Sequence, residues 1–168
     1  LVGSIFDNAK YDPTIINGGI INSYSKNNRY GRSKWMIVEA DESDGSFLRL
    51  PHEINIITNI DIEHLDYYKS SQNLFLAFEK FINNLPFYGY SVICTENINT
   101  QKIYKKIKTR KIISYSQNEN SDVRIIKIEK DKKGSNFTLL FKKGIIKGIN
   151  GKYNFKTNLL GDHNIFNA

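Results

Sequence analysis

The chain has 168 residues, with 24 Lys and Arg against 17 Asp and Glu, a formal charge of +7 and one cysteine, Cys94. That length suits one domain able to bury about 70% of its unfolded surface, and a lone Cys excludes an internal disulfide framework, so a reducing cytoplasm is the expected setting. No apolar run reaches the roughly 20 residues of a membrane-spanning helix, no secretory leader opens the chain, and the lysine excess reads as a solvated surface rather than a nucleic-acid footprint.

Leu1, Val2, Ile5, Phe6 and Ala9 share one helical face, and the pattern starts with no capping residue before it, which reads as a helix cut at its beginning. Asp12-Pro13 stops that helix, because proline removes a donor and disfavours helix in the residue before it. Thr14-Ile15-Ile16 predicts a short strand running into Asn17-Gly18-Gly19, which reads locally as a turn. Trp35-Met36-Ile37-Val38 predicts a strand buried on both faces, followed at once by Glu39-Ala40-Asp41-Glu42-Ser43-Asp44. Ile54-Asn55-Ile56-Ile57 predicts the next strand.

From Ser70 or Ser71 as N-cap, Leu74, Phe78, Phe81, Ile82 and Leu85 recur at helical spacing until Pro86 ends the pattern. A strand over 90–94, a lysine-rich helix over about 100–108 and a strand over 111–115 follow. Strands alternating with helices predict an α/β fold with a mostly parallel sheet flanked by helices. After Ser121 the period changes to the alternation of half-exposed strands, with turn signals at Asp131-Lys132-Lys133-Gly134 and Lys143-Gly144. A small antiparallel sheet over residues 121–160 is therefore expected, appended to the parallel one. Gly161-Asp162-His163-Asn164-Ile165-Phe166-Asn167-Ala168 reads as a loop entering a helix beyond the chain, so both ends look like truncation points.

An open α/β sheet places ligands at the carboxyl ends of its strands, which directs attention to Glu39 and to His64 in Asp61-Ile62-Glu63-His64-Leu65-Asp66. If the strands before them are neighbours, about 4.8 Å apart, both side chains project into one crevice and could ligate a hard cation beside a phosphate. The alternative is a solvated acidic loop and a histidine at a helix cap. Asn17-Gly18-Gly19 offers backbone N–H groups to an anion or serves as a plain turn. Asn164 and Asn167, three apart, could present amides to a purine edge or cap a helix. His52, beside Pro51, reads as a loop residue. The chain holds no Gly-x-x-x-x-Gly-Lys-Ser/Thr loop, so it lacks a phosphate cradle of that kind.

Taken in order, Asp12 to Gly19 (DPTIINGG), Glu39 to Phe47 (EADESDGSF), Thr58 to Tyr68 (TNIDIEHLDYY), Asn84 to Gly89 (NLPFYG) and Gly161 to Ala168 (GDHNIFNA) resemble the central domain of the Mur ligases, and its alanine-adding branch most closely. The resemblance implies a P-loop NTPase-like domain over residues 1–168, cut at both ends, whose phosphate loop and N- and C-terminal domains lie outside these residues. It implies a cytoplasmic enzyme of peptidoglycan synthesis that uses ATP and Mg²⁺ to join L-alanine to UDP-N-acetylmuramate, and a fragment inactive by itself. By the same resemblance Glu39 and His64 are the catalytic magnesium ligands. Asn164, Asn167 and His163 lie near the adenine, and Asn17, Gly18 and Gly19 near the nucleotide sugar.

Two departures stand out. Asp162 occupies a position where many members carry a basic residue, and Lys80 lies near the carbamylated lysine of some relatives without matching its register. The rival readings are the branch of the family that attaches a whole peptide to the same nucleotide sugar, and a non-catalytic basic module binding anions or nucleic acid through residues 102–111.

Overall fold

Pro13 cannot donate a backbone hydrogen bond, and it separates helix α1 (Val2–Asn8) from strand β1 (Thr14–Ile21). The computed structural model describes residues 1–21 and 24–168, in two units, Leu1–Leu50 and Pro51–Ala168. In the first unit β1 pairs antiparallel with β2 (Lys26–Arg29) and parallel with β3 (Met36–Val38), in the order β2-β1-β3. The chain turns from α1 into β1 through Lys10 and Asp12, both at positive φ, 64° and 47°. Arg29 pins that corner, donating to Asp7 at 2.8 Å and to Asp12 at 2.6 Å. The Tyr24 hydroxyl donates to the second Asp7 oxygen at 2.9 Å. Gly31 is needed beneath it, because a Cβ there would stand 2.2 Å from the Asp12 carbonyl oxygen.

Two local expectations change in this unit. Asn17-Gly18-Gly19 is not a turn but part of β1, where the pairing with β2 slips between Ile16 and Ile21. Glycines in a strand accommodate such an irregularity without reversing the chain. The strand Met36–Val38 is not buried on both faces: Met36 is 59% exposed, and Ile37 and Val38 are half-buried. Among the described residues it lies at the edge of its three-stranded sheet and pairs with β1.

The second unit is built on one six-stranded sheet of β4 (Ile54–Ile57), β5 (Tyr90–Cys94), β6 (Lys111–Ser116), β7 (Val123–Asp131), β8 (Gly134–Ile146) and β9 (Ile149–Thr157), in that spatial order. Strands β4 to β7 run parallel and β7 to β9 antiparallel. The expected antiparallel strands therefore extend the parallel sheet, through Tyr115↔Val123 and Ser116↔Arg124. Lys143-Gly144 does not reverse the chain: β8 runs through it with a register shift, and the turn falls at Lys147-Gly148, where Gly148 has φ 80°.

Between the strands lie α2 (Leu65–Tyr68), α3 (Ser71–Asn83) and α4 (Ile98–Lys106). On α3 the predicted apolar stripe is the buried one: Leu74, Ala77, Phe78, Phe81 and Ile82. The Ser70 hydroxyl caps this helix, accepting from the Asn73 N–H at 3.2 Å. Ser70→Ala is expected to lower stability by about 1 kcal/mol, read as a lower midpoint in urea unfolding. Helix α4 begins at Ile98 rather than near Thr100, because the Asn97 side chain caps it, accepting from Asn99 N–H at 2.7 Å.

Burial in β4 alternates, with Asn55 and Ile57 inward and Ile54 and Ile56 exposed. Buried Asn55 is satisfied, accepting from the Ser91 hydroxyl at 2.5 Å and meeting His52 Nε2 at 3.2 Å. His52 is thus more than a loop residue, since its ring packs against Phe81 at 4.2 Å, tilted by 31°, and its Nε2 lies 3.0 Å from the Phe81 carbonyl. The last helix, α5 (Asp162–Asn167), begins within the chain rather than beyond it, after Gly161 at φ 100°. No helix among the described residues is long and apolar enough to cross a membrane.

Candidate functional site

The parallel register of β1 and β3, with Ile16 opposite Val38, carries Glu39 alongside the Asn17-Gly18-Gly19 stretch. The Glu39 N–H donates to the Ile16 carbonyl at 2.9 Å. Its carboxylate turns back to β1, where Oε2 accepts from the Gly18 N–H at 2.7 Å. Two groups selected separately from the sequence, the carboxylate after the tryptophan-bearing strand and the paired glycines, are brought together here. The Asn17 amide donates to the Gly19 carbonyl at 2.9 Å, so that side chain shapes its own loop.

The remaining acids of the cluster organise the turn that follows. Asp41 accepts from Ser43 N–H at 2.8 Å and Asp44 from Ser46 N–H at 2.9 Å, which carries the chain through Gly45 (φ 72°) into the 3-10 helix Ser46–Arg49. Hydrogen bonds from Ser46, its side chain first, hold the Asp44 carboxyl below the usual carboxylate range. Phe47, 2% exposed, anchors this helix. Asp41 and Asp44 are thus turn formers, whereas the Glu39 carboxylate is bound to the Gly18 N–H of β1.

In the second unit His64 sits at the N-cap of α2, half-buried, with a left-handed backbone at φ 55°. Its carbonyl accepts from the Tyr67 and Tyr68 N–H groups, both at 3.0 Å. The loop leading to it is tied down by Ile60, 2% exposed, whose carbonyl accepts from Asn99 of α4 at 2.9 Å. Non-glycine residues held at positive φ cost about 1–3 kcal/mol and cluster at functional positions. Strand β3 precedes Glu39 and β4 precedes His64, and these strands belong to different sheets. The neighbouring-strand argument for joining the two side chains therefore has no ladder behind it.

Helix α5 carries His163, Asn164 and Asn167. The Asn164 amide donates to the Leu160 carbonyl at 2.8 Å and lies 3.1 Å from His163 Nε2, while His163 and Asn167 are exposed. Asp162 pairs with Lys130 of β7, which offsets the negative charge that departs from the family pattern. Neither the Gly18 to Glu39 bond nor this ion pair was legible beforehand, because each joins residues more than twenty positions apart and leaves no local signature.

The Glu39 carboxylate, oriented by the Gly18 N–H, is the oxygen donor type that a hard divalent ion such as Mg²⁺ takes, the rest of its shell being water and phosphate oxygens rather than an all-protein cage. Among the described residues no group of three or more His, Cys, Asp or Glu could hold a metal by itself.

The Mur ligase middle domain profile matches residues 10–168. The UDP-N-acetylmuramate--L-alanine ligase of Nitrobacter winogradskyi is 41% identical over 168 residues, which cover 100% of this chain and 36% of that protein. The chain thus spans about a third of the length of the curated relatives it matches. Among solved structures, UDP-N-acetylmuramate-alanine ligase MurC from Thermotoga maritima aligns with a TM-score of 0.79 at 22% identity, over 99% of this chain and 35% of that one. MurF ligase from the same organism, in complex with ADP, aligns with a TM-score of 0.72 at 12% identity, over 96% of this chain and 38% of that one. At such identities the structures speak for the fold, whereas the profile and the curated relatives run along nearly all of this sequence. The chain belongs to the Mur ligase middle domain family.

Proposed function

We propose that this chain is the central, ATP-binding part of a cytoplasmic UDP-N-acetylmuramate--L-alanine ligase, acting in peptidoglycan precursor synthesis. The observation that carries the reading is the 41% identity, sustained over the whole chain, to proteins of that name. In this reaction the γ-phosphoryl group of ATP passes to the substrate carboxylate, the alanine amine attacks the acyl phosphate, and ADP and phosphate leave. Glu39 and His64 are the residues that would hold Mg²⁺, which when bound offsets the negative charge gathering on the phosphoryl group. On α5, Asn164 and Asn167, with His163 beside them, would meet the adenine, and the β1 glycines would border the nucleotide sugar. The two units would together form one central domain, flanked in the whole enzyme by the parts that grip the uridine nucleotide and close over ATP.

The test is amide formation by the full-length protein. Product and ADP are expected only when UDP-N-acetylmuramate, ATP, L-alanine and a divalent cation are all present, and the 168-residue piece alone is expected to give no turnover. Preference for a free tripeptide over L-alanine would move the chain to the peptide-attaching branch. Salt-dependent nucleic-acid binding without any ligation would make it a basic binding module.

A further inference from the structure

We infer that Gly18 is a positioning residue for Glu39, its backbone N–H fixing one carboxylate oxygen so that the side chain is presented to a divalent cation in a single orientation. The inference rests on the proposed role of Glu39 as a cation ligand. Glu39 is exposed, and an exposed glutamate samples many rotamers, so its orientation has to come from a specific contact. Here it is held at both ends by β1: its own N–H donates to the Ile16 carbonyl at 2.9 Å, and its Oε2 accepts from Gly18 N–H at 2.7 Å. A hydrogen bond to an ionised carboxylate is roughly twice as strong as a neutral one.

The identity of residue 18 follows from the same geometry. A Cβ on Gly18 would stand 3.3 Å from Glu39 Oε2 and 3.9 Å from its Cδ, so alanine would crowd the carboxylate oxygen and make it give by a few tenths of an ångström. At Gly19 a Cβ would meet only the Asn17 amide nitrogen, at 3.8 Å, which is ordinary contact. Of the two glycines, the first alone is set by Glu39. The register slip between Ile16 and Ile21 is local to this point, where the strand leaves its regular pairing with β2 and the Gly18 N–H serves Glu39. This gives Gly18 a task distinct from contact with the nucleotide sugar.

The test uses the full-length protein, with Mn²⁺ affinity read by electron paramagnetic resonance in the presence of the β,γ-imido analogue of ATP. Gly18→Ala keeps the N–H but crowds the carboxylate oxygen it holds, and is expected to weaken Mn²⁺ binding and to lower kcat by several-fold, up to the roughly tenfold that disturbing an outer-shell partner brings. The affinity for UDP-N-acetylmuramate, measured by calorimetry, is expected to stay within about twofold. In a Glu39→Ala background Gly18→Ala is expected to add nothing, because a residue acting through another has no separate effect once that other is gone. Unchanged Mn²⁺ affinity in Gly18→Ala, or weaker nucleotide-sugar binding in its place, overturns the inference while leaving the ligase reading standing. Unchanged Mn²⁺ affinity in Glu39→Ala overturns the inference together with the proposed cation-ligand role of Glu39 on which it rests. Should Gly18→Ala fail to fold, the Gly18 amide proton reports directly by NMR: it is expected to move upfield and lose exchange protection in Glu39→Ala, and an unmoved resonance overturns the inference.

Discussion

Glu39→Ala in the full-length enzyme is expected to lower kcat by about a hundred- to a thousandfold while the protein remains folded. The expectation follows from where the carboxylate stands. It is the first polar residue after β3, it is exposed, and its one described side-chain hydrogen bond, with Gly18 N–H, orients it rather than burying it. Losing that bond costs the fold at most about 1.5–3 kcal/mol, the range for a hydrogen bond to a charged group, which leaves a native state of ordinary stability populated. His64→Ala is expected to cause a fall of similar order. The His64 side chain makes no cap hydrogen bond to α2, whose first turn is held by the backbone carbonyl of residue 64, and alanine keeps that carbonyl. Initial-rate measurements of ADP release, run beside circular dichroism melts, check both variants. Rates within a few-fold of wild type for either one would remove it from the proposed cation site.

The largest effect on stability is expected from Ile82→Ala, at about 2–5 kcal/mol. Ile82 is 0% exposed and lies on the buried stripe of α3 with Leu74 and Phe78, in the unit whose sheet buries Ile57 and Ile93. Removing its outer carbons takes away apolar burial and leaves a void that a packed core closes only in part. Urea denaturation, followed by tryptophan-independent far-UV circular dichroism, is expected to show a lower midpoint with an unchanged slope. By contrast Leu76→Ala, on the exposed face of the same helix at 57% exposure, is expected to shift the midpoint little. Equal losses from the two substitutions would mean that α3 packs through a different face.

The contrast between those two positions was already written in the sequence. Leu74, Phe78, Phe81 and Ile82 recur at the helical period, Ser70 supplies the cap, and Pro86 stands just past the end; each signal acts over a few residues. The same locality explains the errors. Trp35 to Val38 reads as a doubly buried strand because four apolar residues adjoin, yet burial depends on what packs over each face of the sheet, and Met36 stays 59% exposed. Asn17-Gly18-Gly19 reads as a turn because glycine permits one, but the segment continues β1 through a register shift against β2, with the Gly18 N–H bonded to Glu39.

Residue order by itself determined the alternation of strands and helices, the switch to antiparallel pairing after Ser121, and the choice of Glu39 and His64 as the residues to watch, since periodicity, caps and breakers are short-range properties of the chain. Only the tertiary structure decided that the Glu39 carboxylate meets the Gly18 N–H and that Asp162 meets Lys130, because those contacts depend on strand register and on chain segments remote in sequence, which no local pattern encodes.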